Sequence, residues 1–165
     1  MNTSLIESSV PRAQIMGLEQ AILESPHQID MVQNTYHHFA EGIYLRELFI
    51  PAGVVLTGKI HTTQHLTIIA RGTVRITTDF GVEEITGPAV FVSEVGAKKA
   101  MYAITDVTLM NPHPTNERDI VKIEEKFIAP SFDELANRLV ALRNVCNEEI
   151  TTDYRNNIRV QENTE

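Results

Sequence analysis

The chain has 165 residues, 42% of them hydrophobic, and a formal net charge of −8. That length suits one domain around a single core. The acidic balance argues against broad nucleic-acid or anionic-membrane binding, both of which need a basic face.

One cysteine, Cys146, leaves no partner for an internal disulfide and suits a reducing compartment; it falls in a predicted helix and is expected to be packed. No apolar run approaches the ~20 residues of a membrane span. The first ten residues have neither the positive region nor the apolar core of a signal peptide, so a cytoplasmic location is expected.

In chain order, Ile15, Leu18 and Ile22 recur at helical spacing after Pro11, and Ser25-Pro26 stops the run, which predicts an amphipathic helix over residues 11–24. Three of the six histidines, His27, His37 and His38, lie in a lead-in loop and strand and read as surface groups. Residues 42–50, GIYLRELFI, are rich in β-formers and end at Pro51; residues 53–59 form the next strand. From Thr73, VRITT and VEEIT flank Asp79-Phe80-Gly81 as a hairpin, Gly87-Pro88 turns the chain into AVFVS, and Gly96 turns it into residues 99–104. Short strands at this spacing, with no long helix among them, predict an antiparallel sandwich or barrel. Beyond Pro112-His113-Pro114, DIVKIEEKF reads as a short helix or a mixed segment. Ser131 and Glu134 form a capping box, and Phe132, Leu135, Leu139 and Leu142 make one apolar stripe. The expected organisation is a helix and lead-in strand over 1–42, a barrel over 43–115, a helical extension over 116–146 and a polar tail over 147–165.

The informative stretch is residues 51–72, PAGVVLTGKIHTTQHLTIIARG. Lys59, His61, Thr63 and His65 stand two residues apart, so in one strand they share a face, with Leu66, Ile68 and Ala70 on the other and in need of cover. Two imidazoles can hold Zn²⁺, Ni²⁺, Cu²⁺ or Fe²⁺, with His113, fixed between two prolines, as the third donor. At a rise of ~3.3 Å per residue, however, His61 and His65 are about 13 Å apart in an extended strand, too far to share an ion unless the strand bends.

This stretch resembles the first motif of the cupin superfamily, with Gly53 as opening glycine, His61 as second histidine, His65 at the glutamate position and Gly72 closing. Lys59 replaces the first histidine. The second motif is visible in GPAVFVSEVGAKKAMYA, where Gly96 matches, Glu94 replaces the proline and Lys99 occupies the last histidine. GKIHTTQHLTIIARG, with NPHPT and DIVKIEE, is similar to small single-domain cupin-like proteins of phages and prophages. The resemblance implies a mainly β fold, a cupin double-stranded β-helix or jelly-roll barrel, here with helical extensions at both ends. It also implies a strand bent between His61 and His65, and a homodimer formed through a sheet.

Three readings follow. The first is a small, anionic ligand bound in the barrel mouth by Lys59, His61, Thr63, His65 and Lys99, with His113 nearby. The second is a metal-dependent enzyme with a divalent transition metal on His61, His65 and His113; the two lysines at ligand positions oppose it. The third is an accessory protein, in the host cytoplasm if phage-encoded, acting on a host protein.

Overall fold

The computed structural model describes residues 12–78 and 81–146. By its contacts the chain divides into two units, residues 1–128 and 129–165. The tip of the predicted 73–86 hairpin, Asp79-Phe80, the expected polar tail and Pro11 lie outside the described residues.

In the first unit, helix α1 (Arg12–Glu24) precedes ten strands: β1 (Thr35–Ala40), β2 (Ile43–Ile50), β3 (Val55–Thr57), β4 (Ile60–His61), β5 (His65–Arg71), β6 (Thr73–Thr78), β7 (Gly81–Thr86), β8 (Ala89–Ser93), β9 (Ala100–Ala103) and β10 (Val107–Pro114). One sheet has the order β1-β2-β10-β5-β8 and a second β3-β9-β6-β7, while β4 belongs to neither. The pairings are nested: β2 pairs with β10, β3 with β9, β5 with β8 and β6 with β7, all antiparallel. A long hairpin rolled up in this way is the jelly roll, and it is the double-stranded β-helix expected from the cupin resemblance. No helix among the described residues is long and apolar enough to cross a membrane.

The register stacks the inward side chains in layers. Along β2 and β10 the facing pairs are Ile50 with Val107, Leu48 with Leu109, Arg46 with Asn111 and Tyr44 with His113. Along β5 and β8 they are Ile69 with Ala89, Thr67 with Phe91 and His65 with Ser93. Alternate residues face one way, so a single parity carries each strand from apolar to polar. At the apolar end Ile50, Ile69, Val74, Ile76, Ala103 and Val107 are fully buried. At the other end Tyr44, Ile123 and Phe127 form a second small core. The outward parity leaves Leu66, Val90 and Val92 half-exposed on neighbouring strands.

Two helices brace the barrel. Glu19 of α1 accepts from the Thr57 hydroxyl at 3.2 Å and pairs with the nearly buried ammonium of Lys98 at 2.7 Å. The ambiguous DIVKIEEKF segment is helix α2 (Ile120–Phe127), and its N-cap Asp119 accepts from the Val121 N–H at 2.9 Å. Removing that cap by Asp119→Ala is expected to cost about 1 kcal/mol, read as a shift of the urea midpoint without a change of slope.

In the second unit a helix, α3, runs from residue 132 to the last described residue, 146. Ser131 caps it by accepting from the Glu134 N–H at 3.1 Å, while the Glu134 carboxylate accepts from Arg138 Nε at 3.0 Å. Leu135 is buried but Leu142 is exposed, so the predicted apolar stripe does not run the helix's length. Cys146, expected to be packed, is exposed.

Candidate functional site

Strict alternation from Lys59 to His65 does not hold, because residues 62–64 leave the strand. Their backbone is held by other partners. The Thr62 N–H donates to the Phe127 carbonyl at 2.9 Å, the Thr62 hydroxyl to the Lys126 carbonyl at 2.8 Å, and the Gly96 N–H to the His61 carbonyl at 2.8 Å. The C-terminal end of α2 thus pins a bend between β4 and β5. That bend brings the His61 and His65 rings to 3.8 Å between centroids, at an interplanar angle of 23°. It also throws Thr63 outward: its side chain is exposed, away from the site, and only its carbonyl takes part, accepting from His65 Nδ1 at 3.2 Å. A carbonyl can only accept, so His65 carries its proton on Nδ1 and leaves Nε2 as an acceptor.

His113 completes a cluster, its ring 5.5 Å from His61, 5.6 Å from His65 and 4.7 Å from Phe127. The three imidazoles are buried. Burial pushes the His61 pKa down to about 2, aided by His65, His113, Lys99 and Arg46. His65 is pushed down to about 4 by burial and, less, by Lys99, against the Thr63 hydrogen bond. His113 is also lowered to about 4, by burial, His65 and Arg46. The trio is therefore neutral at physiological pH.

In front of His61 and His65 lies a cavity of about 260 Å³. Its polar wall comprises Arg46, Lys59, Lys99, Thr67 and Asn111 with the two histidines; its apolar wall comprises Met31, Leu48, Leu56, Ile76, Met101 and Leu109. Among the described residues three cationic side chains line it and no carboxylate does. Lys59 is half-exposed and pairs with Glu124 of α2, a surface contact worth about 0–1 kcal/mol. Lys99 donates to Ser93 Oγ at 2.7 Å, and its ammonium lies 5.6 Å from the Phe91 ring centre. Ser93 and Thr67 share a hydrogen bond of 2.7 Å, and Asn111 Nδ2 donates to Thr67 Oγ1 at 3.3 Å and to the Leu66 carbonyl at 3.1 Å. The ammonium and the amide can only donate to these hydroxyls. The single Ser93–Thr67 bond uses one of two hydroxyl protons, so the pair keeps one O–H donor in reserve beside the cavity.

Apart from Thr63, the site residues expected from the sequence are Lys59, His61, His65, Lys99 and His113. The first four line the cavity; His113 stands behind them, against Tyr44 and Phe127. Arg46, Thr67 and Asn111 were not among those expected. The signal was available: Arg46 sits two residues from Tyr44 and two from Leu48, the inward parity of β2, and Thr67 continues the parity of His65. Glu94, a weaker donor candidate, is exposed and holds Gln64 instead, at 2.9 Å.

A metal makes two demands of this donor set. Its ligands should lack other partners, and Nδ1 of His61 and of His113 are buried with no hydrogen-bond partner. Its ligands must also aim at one point about 2 Å from each nitrogen and in the plane of each ring. The His61 and His65 rings lie face to face, so their planes share no such point. Among the described residues no group of three or more His, Cys, Asp or Glu has the geometry to hold an ion. The trio as arranged does not fit a metal.

No protein-family model matches the chain, and no curated protein matches it. Solved structures similar to it include KdgF from a Halomonas species (9% identical, covering 56% of this chain and 90% of that one, TM-score 0.44). Another is a cupin superfamily protein from Desulfitobacterium hafniense (9% identical, 56% and 94% covered, TM-score 0.41). The Cnp3 cupin domain of Schizosaccharomyces pombe is also similar (18% identical, 60% and 73% covered, TM-score 0.42). These are likenesses of fold.

Proposed function

We propose that the protein binds a small anionic ligand in the barrel cavity. One observation carries this reading: Arg46, Lys59 and Lys99 line a concave, partly apolar space that no carboxylate lines, in a chain of net charge −8. A cleft lined by one sign of charge focuses the field on its opening and draws in the opposite ion. The Arg46 guanidinium supplies a planar fork, the Lys99 ammonium a point charge, and the Thr67–Ser93 pair a neutral donor. The volume lies just below the ~300–1,000 Å³ usual for ligand sites, which favours a ligand smaller than a nucleotide. The neutral histidines form the wall behind these donors; His65 Nε2 is an acceptor for a ligand hydroxyl or amine.

Thermal melts at low ionic strength, with acetate, hexanoate, citrate, sulfate and inorganic phosphate added in turn, test the reading. A bound anion at a hundred times its dissociation constant stabilises the protein by about 2.7 kcal/mol. At least one anion is expected to raise the melting temperature of the native chain by several degrees, and an Arg46→Gln/Lys99→Gln double variant is expected to lose that rise. No shift with any of them retires the reading. Stoichiometric metal in untagged protein, lost on changing His61 and His65 to alanine, would put a metal centre in its place.

A further inference from the structure

We infer that the ligand is a small aliphatic carboxylate, its charged end at Arg46 and Lys99 and its hydrocarbon body on Leu48, Leu56 and Leu109. This rests on the anion-binding reading and narrows it. The strand register carries the inference. Arg46 faces Asn111 across β2 and β10, and the next inward pair along both strands is Leu48 with Leu109. Inward side chains on one strand are two residues apart, roughly 7 Å. The charged layer therefore sits one such step above an apolar layer, and the cavity touches both.

The second sheet repeats the step. Leu56 and Ile76 both pair with Met101, and all three line the cavity opposite Leu48 and Leu109. Inorganic phosphate or sulfate reaches the upper layer but leaves the space between the apolar side chains of this floor without van der Waals partners. A neutral alcohol covers the floor but offers nothing to two cations. A carboxylate with a hydrocarbon chain satisfies both layers. Its two coplanar oxygens match the guanidinium fork, while the Lys99 ammonium and the reserve hydroxyl proton of the Thr67–Ser93 pair supply further donors. The lining, which holds no carboxylate among the described residues, also disfavours a zwitterionic amino acid, whose ammonium finds no anion there.

Calorimetric titration of the full chain with acetate, butyrate, hexanoate and octanoate, and with hexanol, hexyl phosphate and inorganic phosphate, tests the assignment at low salt. Affinity is expected to climb about fourfold per added methylene until the floor is covered. Hexanol and inorganic phosphate should bind about tenfold or more weakly than hexanoate, and hexyl phosphate more weakly than hexanoate. Arg46→Gln should weaken hexanoate about tenfold while Arg46→Lys retains part of the affinity, both with melting temperatures near the native one. Leu56→Phe, which narrows the floor from the short edge strand β3, should weaken hexanoate and spare acetate.

A series flat in chain length, with phosphate as good as hexanoate, overturns the aliphatic assignment and leaves anion binding standing. A clear preference for hexyl phosphate overturns the carboxylate in favour of an alkyl phosphate. Hexanol binding as tightly as hexanoate, indifferent to Arg46, overturns both this inference and the anion reading, as does a panel in which nothing binds.

Discussion

Lowering the pH from 7.5 to 5 is expected to remove about 6 kcal/mol of folding stability, a large part of what a domain of this size has. His61, His65 and His113 stay neutral in the folded chain down to pH values near 2, 4 and 4. In the unfolded chain each takes a proton near its ordinary pKa of about 6.5. Above that pH both states are neutral and the histidines are silent. As pH falls below it, only the unfolded chain gains protons, so stability drains through the window from about 6.5 toward 4. At one and a half pH units below 6.5 each histidine contributes about 2 kcal/mol to the loss. His37, also lowered, chiefly by burial, adds to the trend.

Aspartates and glutamates with ordinary pKa values titrate lower, near 4, so the interval from 6.5 to 5 isolates the imidazoles. Urea midpoints across that interval are the measurement, and a flat profile would show that the trio is not buried in neutral form. His113→Leu places an aliphatic group against Tyr44 and Phe127 and should remove about a third of the slope.

Gly72→Ala is expected to be the most damaging single methyl in the barrel. Gly72 turns β5 into β6 with φ +88°, and a Cβ there would stand 2.0 Å from the Asp106 carbonyl oxygen and 2.9 Å from the Val107 Cα. Both are backbone atoms, in a turn that the Asp106 carboxylate ties to the Ala52 N–H at 2.9 Å, so no rotamer change makes room. The left-handed backbone costs an alanine about 1–2 kcal/mol, and overpacking against fixed neighbours about 1–3 kcal/mol more. The expected loss is therefore about 2–5 kcal/mol, seen as a large drop in the urea midpoint or as insoluble protein. Gly42→Ala separates the two terms: Gly42 has φ +77° but nothing within 4 Å of an added Cβ. It should lose only the backbone part, about 1–2 kcal/mol. Equal losses at the two positions would mean that the Asp106 turn yields readily.

The legible part of the molecule is the part written in local chemistry. Glycines and prolines punctuate short β-rich runs, and that spacing alone predicts the antiparallel barrel that β1 to β10 form. The cap at Ser131 and the periodicity of α1 were equally readable, since both depend on neighbours three or four residues away. The cupin-like glycine pattern placed Lys59, His61, His65 and Lys99 together, and all four line one cavity.

Two things were decided at long range. The first is the bend at residues 62–64. Alternation counts residues as if the ladder were unbroken, but the donors of Thr62 are claimed by carbonyls at Lys126 and Phe127, more than sixty positions away. That choice turns Thr63 out and stacks His61 on His65. The second is depth. Arg46 reads locally as one charged residue in an apolar strand; the pairing of β2 with β10 sets it level with Asn111, directly above Leu48 and Leu109. The sequence by itself determined which residues alternate, turn and cap, because those preferences belong to a few consecutive dihedrals. Which of them share a layer, and so whether a lysine, an arginine and an asparagine become one site, was decided by strand register, a property that only the folded tertiary structure has.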